Sequence, residues 1–292
     1  MNILVIGGGR YFGIKTIRLL LDSGHNVTMA TRGISNNPFA GKIPCLTLNV
    51  MDYESVSSAL NHKSFDVVVN KIGYGSFEIN AILDSVECGR FIHTSTAGIY
   101  YTKHLQIKEG EFKTDASHYI LCKRGDMSYD DVKRQAELIL AQKYTDLDWC
   151  SVRFPYVLGK NDYTKRLFFY AEHIFNSQPM NIVNLDCRFP VVSEEDAGAF
   201  MSFLCRQTKV GAINGCSHET ISVREIIEYV ENKTGKKALI SNEGDNAPYN
   251  DTIENYSLST QKAEDLGFKF AKVNNFLYDI LDYYINQLSK QQ

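Results

Sequence analysis

The N-terminal half of the chain alternates short apolar runs with segments of helical periodicity. In the helical segments, apolar residues recur three and four positions apart, as on one face of a helix. Several of the short runs are apolar on both faces, which is typical of parallel strands covered by helices on either side. The pattern predicts six strands, at 2–7, 26–32, 43–50, 65–73, 89–96 and 147–154.

The segments between these runs predict helices that begin near Phe12, Tyr53, Ser76 and Tyr129, the third of them extending to about residue 89. A strand followed by a helix, repeated along a chain, is typical of an open sheet wound in both directions. We therefore predict an α/β fold built on a doubly wound parallel sheet.

After about residue 155 the alternation weakens and helical patterns dominate, at 164–178, 193–207, 220–235 and near 274–290. We interpret residues 1–155 as one domain and residues 156–292 as a smaller lobe that closes one side of a cleft. The segment 188–205 is expected to return to the first domain.

The first predicted strand runs into a glycine-rich segment, GGGRYFG, at the start of a helix. A turn without side chains lets backbone N–H groups and a helix N-terminus face a diphosphate. The spacing departs once from each common dinucleotide fingerprint, because Phe12 or Arg10 stands where a glycine is usual. We predict a dinucleotide site that includes Gly7, Gly9, Arg10, Tyr11, Phe12 and Gly13.

The end of the second predicted strand indicates which dinucleotide is preferred. A fold selective for NAD usually carries an acidic residue there, which binds the ribose 2′-OH. This chain has Thr31 and Arg32 instead. Together with Arg10, Arg32 can flank a 2′-phosphate with charge-assisted hydrogen bonds. The pattern favours NADP(H), and NAD(H) is the alternative.

A hydroxyl-rich segment, HTSTAGIYY, lies at the carboxyl end of the fifth predicted strand, where open α/β sheets bind ligands. Further along, Tyr129 and Lys133 are four residues apart, on one face of a predicted helix. A phenol is a weak base at neutral pH. A nearby ammonium and cofactor charge would lower its pKa. We predict that Thr96 binds a substrate oxygen and that Tyr129 transfers the proton.

A second pair has the same spacing, Tyr119 and Lys123. It is followed by RGDM, which ends any helix, whereas Lys133 leads into apolar positions at helical spacing. We favour Tyr129 and Lys133 because of their place after the hydroxyl-rich segment.

Taken together, GGGRYFG, TSTAGIY and YDDVKRQAE resemble an extended or atypical short-chain dehydrogenase/reductase, of the NAD(P)-dependent epimerase/dehydratase superfamily. The resemblance covers roughly residues 1–205. The arginine-containing glycine loop is similar to that of a subgroup with chloroplast stem-loop RNA-binding proteins and related bacterial reductases. The resemblance implies a Rossmann fold, and it implies that Lys133 anchors the ribose and lowers the pKa of Tyr129.

The same resemblance implies further cofactor contacts: Asn49 and Val50 by the adenine, Ile72 and Gly73 by the ribose and pyrophosphate, and Pro155 near the nicotinamide. Two positions depart from the family pattern. Lys71 stands where small residues are usual, and Asn49 stands where an aspartate is common.

The implied activity is that of an NADP(H)-dependent oxidoreductase, epimerase or dehydratase acting on a carbonyl or secondary alcohol. The expected substrate is a nucleotide-activated sugar or a similar polyol. Asp162, Tyr163 and Arg166 are candidates for substrate contact, with solvated surface as the alternative. Two other functions stay open: an RNA-binding or RNA-processing protein on the same fold, and a sensor that binds NADP(H) without turnover.

Composition narrows these alternatives. The formal net charge of −3 makes a nucleic acid partner less expected. The seven cysteines are scattered without zinc-ligand spacing, so we predict buried thiols and no metal. His93, on an apolar strand, is expected to be a satisfied core residue. No apolar run has membrane-span length, and the chain begins on a strand-like run without a leader. We expect a cytoplasmic protein, with a homodimer as one option for its assembly.

Overall fold

The computed structural model describes residues 1–34, 37–250 and 254–290. The strands are β1 (Asn2–Ile6), β2 (Asn26–Thr31), β3 (Cys45–Thr47), β4 (Ser64–Asn70), β5 (Glu87–Thr96), β6 (Asp148–Phe154), β7 (Tyr156–Leu158), β8 (Pro179–Asn181), β9 (Arg188–Ser193), β10 (Gly211–Asn214), β11 (Thr220–Ser222), β12 (Leu239–Ile240) and β13 (Asp245–Asn246). The helices are α1 (Phe12–Asp22), α2 (Tyr53–Leu60), α3 (Ser76–Leu83), α4 (Tyr129–Gln142), α5 (Arg166–Asn176), α6 (Glu194–Leu204), α7 (Val223–Thr234), α8 (Gln261–Asp265) and α9 (Leu277–Ser289). Short 3-10 turns cover Ala97–Ile99, Glu109–Glu111 and Val273–Asn275.

The central sheet has seven strands in the order β10-β6-β5-β4-β1-β2-β3. Every pairing in it is parallel. The predicted doubly wound parallel sheet is therefore confirmed, but with seven strands rather than six. The seventh, β10, is a four-residue strand contributed by the C-terminal half of the chain, where no strand was predicted.

The strands at the centre of this sheet are apolar on both faces because helices cover both. On one face, Ile3 and Val5 share a core with residues of α1 and α6. On the other face, Leu4 and Ile6 pack with residues of α2, α3 and α4. This alternation along a strand fixes which side chains point to each layer of helices.

Several predicted elements were too long, among them the helix predicted at 220–235, whose first three residues form β11. The strand predicted at 65–73 ends at Asn70, because its side chain accepts a hydrogen bond from the Gly73 N–H at 2.8 Å and closes a turn. The helix predicted to run to residue 89 ends at Leu83, since Glu87 already pairs with Ser64 in the sheet. The strand predicted at 43–50 shrinks to the three residues of β3 at the sheet edge.

The C-terminal half adds two small sheets, β11-β9-β7 and β12-β8-β13. Helices α5, α7 and α9 pack together around a second large core that includes Leu167, Ile226 and Leu281. Within the segment 188–205, which was predicted to return to residues 1–155, β9 belongs to a small sheet, whereas α6 packs against α1. A Cβ at Gly198 would lie 2.8 Å from the Phe12 carbonyl oxygen, so only glycine permits this close approach.

Five of the seven cysteines are buried, as predicted, but Cys45 is exposed and Cys88 is partly exposed. Cys45 lies on β3, the strand at the edge of the central sheet. Within the described ranges, no group of three or more His, Cys, Asp or Glu side chains is placed to hold a metal ion.

A buried ion pair ties α4 to the sheet. The Arg153 guanidinium lies 2.6 Å from the Glu137 carboxylate, and both side chains are almost fully buried. Ser95 donates a hydrogen bond to the same carboxylate at 2.6 Å, and Arg153 also donates to the Tyr100 hydroxyl at 3.0 Å. This network holds in place the helix that carries Tyr129 and Lys133.

We expect Glu137→Ala to lower the free energy of unfolding by about 3–5 kcal/mol, because it leaves a buried guanidinium without its counter-charge. Urea or thermal unfolding measures the loss. The matched control is Asp84→Ala, which breaks the half-exposed pair with Lys143 and should cost far less. Equal losses in the two variants would contradict a stabilising role for the buried network.

Candidate functional site

A cleft with a volume of about 1200 Å³ opens at the carboxyl ends of the parallel strands. Its wall is formed where β1, β2, β4, β5 and β6 end, and by residues of the C-terminal half around Arg166 and Tyr249. The volume exceeds the range of about 300–1,000 Å³ that is usual for a site with one small ligand. The cleft therefore has room for a dinucleotide and a second molecule.

The structure brings nearly all of the predicted site residues together in this cleft. The two that do not line it are Gly13 and Gly73. The residues that do are Gly7, Gly9, Arg10, Tyr11, Phe12, Thr31, Arg32, Asn49, Val50, Ile72, Thr96, Tyr129, Lys133 and Pro155.

Local packing and hydrogen bonding account for the glycines at positions 13 and 73. A Cβ on Gly13 would lie 2.9 Å from the Gly8 carbonyl oxygen, so Gly13 allows α1 to start close to the loop. The Gly73 N–H is already used by the Asn70 side chain. Its direct contact with a ribose or pyrophosphate, implied by the family resemblance, has no support in this geometry.

The glycine loop is shaped by backbone conformations that few residues adopt. Gly7 has φ +86°, and a Cβ there would lie 2.4 Å from Ile72 Cγ2. Tyr11 takes φ +55° without being glycine, a strained conformation. Its hydroxyl donates to the Val157 carbonyl at 2.6 Å, and its ring meets Tyr163 edge-on. These contacts from the second half of the chain hold the loop against the cleft.

Two arginines stand at the end of the cleft formed by β1 and β2. Arg10 and Arg32 are both exposed and both line the cleft. Neither forms an ion pair with a carboxylate of the described residues. The nearby Thr31 hydroxyl accepts a hydrogen bond from the Gly33 N–H at 3.1 Å and shapes the turn that follows β2. This end of the cleft therefore presents positive charge to a ligand.

Asn49 and Val50 border the same end of the cleft. The Asn49 N–H donates to the Ser55 hydroxyl at 2.9 Å, and the Asn49 side chain accepts from the Met51 N–H at 3.3 Å. The side-chain oxygen is thus engaged in a turn before α2, which orients the amide at the cleft wall.

The predicted acid/base group assembles where β5 ends and α4 begins. Thr96 is the last residue of β5, and its hydroxyl accepts from the Gly98 N–H at 3.1 Å. Tyr129 is the first residue of α4, whose N-terminus is capped by Ser128. The Lys133 ammonium, one turn further on, is buried and donates to the Thr94 carbonyl at 2.7 Å. Capping and packing therefore place all three side chains at one point of the cleft.

The protonation properties of these groups follow from their surroundings. Burial within the cleft raises the pKa of Tyr129 to about 12, and the neighbouring Tyr74 adds to this, although a hydrogen bond with Thr96 and the charge of Arg166 oppose it. The ring is 54% exposed, but it is exposed towards the cleft. At neutral pH the phenol is protonated and ready to donate a proton.

Burial also lowers the pKa of Lys133 to about 7, while Glu78 and Glu137 act in the opposite direction. The ammonium therefore exchanges its proton near neutral pH. When it is protonated, its positive charge can interact with a bound ligand or with the phenol of Tyr129.

Sequence reasoning missed several residues of this cleft. The Tyr74 ring lies 4.5 Å from the Lys133 ammonium and 6.0 Å from the Tyr129 ring, and the Arg124 guanidinium lies 4.4 Å from it. Tyr74 closely follows the end of β4, so the rule that selected Thr96 could also have found it. Arg124 lies in a segment without periodicity, and no sequence signal marks it.

The structure separates the remaining candidate site residues into those that line the cleft and those that do not. Tyr163 and Arg166 line the cleft. Asp162 does not line it, and its carboxylate accepts hydrogen bonds from the N–H and hydroxyl of Thr164, so it shapes a turn. The alternative pair, Tyr119 and Lys123, lies outside both the cleft and any helix.

His93 is a core residue, as predicted, but its hydrogen bonding is only partly satisfied. Its ring is fully buried and its Nδ1 lies 3.3 Å from the Asn70 side-chain nitrogen, but its Nε2 has no hydrogen-bond partner among the described residues. Burial lowers the pKa of His93 well below its usual value, and the charge of Lys133 contributes in the same direction. The imidazole is therefore neutral.

The fold and the cleft together define a class: a Rossmann-fold protein, built on a seven-stranded parallel scaffold, whose glycine loop and tyrosine–lysine pair line one cleft. Solved structures with this scaffold match almost the whole chain. The UDP-glucose 4-epimerase of Thermotoga maritima, solved with UDP-glucose, is 16% identical with a TM-score of 0.77, over 99% of this chain and 100% of that one. The UDP-glucose 4-epimerase of Thermus thermophilus, in complex with NAD, is 17% identical with a TM-score of 0.73, over 97% and 99%.

A third structure, the UDP-N-acetylglucosamine 4-epimerase of Methanobrevibacter ruminantium in complex with UDP-N-acetylmuramic acid, is 15% identical with a TM-score of 0.75, over 100% and 99%. At these identities the likeness shows the fold. It confirms the architecture that the family resemblance implied.

At the level of sequence the chain is similar to the chloroplast stem-loop binding protein of 41 kDa b from Arabidopsis thaliana. The two are 27% identical over 197 residues, which is 63% of this chain and 49% of that protein. The match thus spans about half the length of that curated relative. No family model matches the chain. Within the described residues, no helix has both the length and the apolar character needed to cross a membrane.

Proposed function

We propose that this protein is an enzyme that uses a nicotinamide dinucleotide to oxidise or reduce a secondary alcohol or carbonyl of a nucleotide-activated sugar or similar polyol. The observation that carries the proposal is that Thr96, Tyr129 and Lys133 line the same cleft as the glycine loop. Each group alone has a structural explanation. Their convergence at the carboxyl edge of a doubly wound sheet is the arrangement that such chemistry needs.

The residues of the cleft fit a dinucleotide. The loop at Gly7 offers backbone without side chains next to the N-terminus of α1, which suits a diphosphate. Arg10 and Arg32 suit a 2′-phosphate, so we propose NADP(H) as the preferred cofactor. NAD(H) stays the alternative, since the Thermus epimerase of the same fold was solved with NAD. When bound, the nicotinamide supplies hydride transfer.

The chain's own groups move the proton. In the direction of reduction, the Tyr129 phenol donates its proton to the substrate oxygen, which Thr96 orients by a hydrogen bond. In the direction of oxidation, the phenol must first lose its proton to solvent, and the resulting phenolate then accepts the proton of the substrate hydroxyl as the hydride leaves for the nicotinamide. The Lys133 ammonium favours that step by its charge and anchors the ribose.

The proposed substrate class rests on the cleft and on the structural neighbours. Thermotoga maritima's epimerase was solved with UDP-glucose. In this chain, Arg166 and Tyr163 also line the cleft, and both come from the C-terminal half. We propose that they contact the nucleotide-activated sugar or similar polyol. A cytoplasmic location and a homodimeric assembly remain predictions from the sequence.

The nucleotide that accompanies the purified protein tests the proposal. We expect denaturation to release NADP or NAD, identified by mass spectrometry. Oxidised cofactor that stays tightly bound would favour an epimerase or dehydratase, and free exchange would favour a reductase. The proposal is wrong if nothing is released and the protein also fails to bind any added NAD(H) or NADP(H).

RNA binding is the second candidate, and the similarity to a stem-loop binding protein favours it. If phosphates are neutralised by the exposed arginines, affinity for an RNA stem-loop must fall steeply with added salt. A binding assay across a salt series measures this. Undetectable binding, or binding that salt leaves unchanged, would remove this candidate.

A further inference from the structure

Lys71 is a partly buried cation directly beside the glycine loop. It follows the last residue of β4, and its ammonium donates to the Arg10 carbonyl at 3.2 Å. The same ammonium lies 3.8 Å from the ring centroid of Phe12, the first residue of α1. A Cβ on Gly13 would lie 2.5 Å from the Lys71 nitrogen, so glycine at that position leaves the space that the ammonium occupies.

No carboxylate of the described residues forms an ion pair with Lys71. Glu78, an acidic residue of the cleft lining, instead accepts hydrogen bonds from the N–H groups of Gly75 and Arg124. The N-terminus of α1 adds further positive potential at the same place. Uncompensated charge of one sign is costly where solvent is partly excluded, and a bound anion would remove that cost.

We propose that Lys71 is the counter-charge for the diphosphate of the dinucleotide, and that the Lys71 ammonium stays protonated while the diphosphate is bound. The proposal rests on the proposed function, because it needs a dinucleotide in this cleft. It differs from the role proposed for Arg10 and Arg32, because NAD(H) and NADP(H) share the diphosphate. Loss of Lys71 should therefore weaken both cofactors by the same factor.

Dinucleotide affinity should consequently depend on pH. Burial lowers the pKa of Lys71 to about 7 in the free protein, and a bound diphosphate would raise it. Above that pH, each dinucleotide that binds takes up a proton. The affinity should accordingly fall by about tenfold between about pH 6 and about pH 8. Below pH 7 the ammonium is already charged, so the affinity levels off.

Other groups near Lys71 would not produce the same dependence of dinucleotide affinity on pH. The contact with Arg10 is to its backbone carbonyl, which does not titrate. The neighbouring Phe12, Gly13 and Asn70 do not titrate. Lys133 is the second cleft lysine whose pKa burial lowers to about 7. Lys133→Met is therefore the matched control, because Lys133 is expected to bind ribose hydroxyls rather than a charged group.

The test is calorimetric titration of NAD, with NADP as a comparison of affinity, into wild-type protein, Lys71→Met, Lys71→Arg and Lys133→Met, after removal of any retained nucleotide. NAD is the probe because the 2′-phosphate of NADP itself titrates near pH 6. Titrations at about pH 6 and pH 8, in two buffers of different ionisation enthalpy, give both the Kd and the number of protons taken up.

We expect Lys71→Met to raise the Kd for NAD by about 10–100-fold, and the Kd for NADP by the same factor, with no proton uptake. Lys71→Arg should keep the affinity and lose its dependence on pH, which also shows that the site still folds. Lys133→Met should retain the proton uptake. If the uptake persists in Lys71→Met, or disappears only in Lys133→Met, Lys71 is not the counter-charge. If wild-type protein binds neither cofactor, the proposed function itself fails.

Discussion

Replacing Tyr129 by Phe should reduce turnover of an accepted substrate by about 10²–10⁴-fold, the usual contribution of a positioned acid/base group. The variant removes only the hydroxyl that transfers the proton. The ring, which packs against Tyr74, stays in place. Cofactor affinity should therefore be unchanged, and the loss should appear in kcat.

The matched control is Tyr119→Phe. Tyr119 belongs to the other tyrosine–lysine pair with the same spacing, but it lies outside the cleft. Steady-state rates and cofactor titrations of both variants separate a chemical effect from a structural one. Unchanged turnover in Tyr129→Phe, or an equal loss in both variants, would remove Tyr129 from the mechanism.

Replacing Arg10 by Gly should weaken NADP(H) binding by about 10–100-fold, which is the expected range for losing a charge-assisted hydrogen bond to a phosphate. Binding of NAD(H), which has no 2′-phosphate, should change little. Arg32→Gly should show the same selectivity, because both side chains are exposed at the same end of the cleft.

Titrations of both cofactors measure this difference directly. Arg18→Ala is the control, since Arg18 is an exposed arginine of α1 that does not line the cleft. Equal losses for NAD(H) and NADP(H) in Arg10→Gly would mean that the arginine does not read the 2′-phosphate. The proposed preference for NADP(H) over NAD(H) would then have no support from Arg10.

The sequence predicted those parts of the molecule that depend on local patterns. The glycine loop, the hydroxyl-rich end of β5 and the start of α4 are each encoded within a few consecutive residues. The alternation of apolar runs likewise predicted the parallel sheet. The strand β10 was not predicted, because it has only four residues and follows a part of the sequence in which helical periodicity dominates.

Long-range packing decided what the sequence did not predict. Gly73 does not line the cleft and its N–H is bonded to the Asn70 side chain, a bond that no spacing rule records. Tyr249 reaches the cleft from the far end of the chain, where no periodicity points to it. Lys71 stood out as a departure from a family pattern, but its meaning emerged only from its position beside Arg10 and Phe12.

The most direct test of the central claim is to incubate the dinucleotide-loaded protein with a panel of UDP-sugars. Reduced nicotinamide is followed by its absorbance, and the sugar products by chromatography. The account predicts that at least one UDP-sugar is oxidised, reduced or epimerised by wild-type protein, and that Tyr129→Phe is nearly inactive on it. A protein that binds the dinucleotide but transfers no hydride to or from any member of the panel, or a Tyr129→Phe variant as active as wild type, would contradict it.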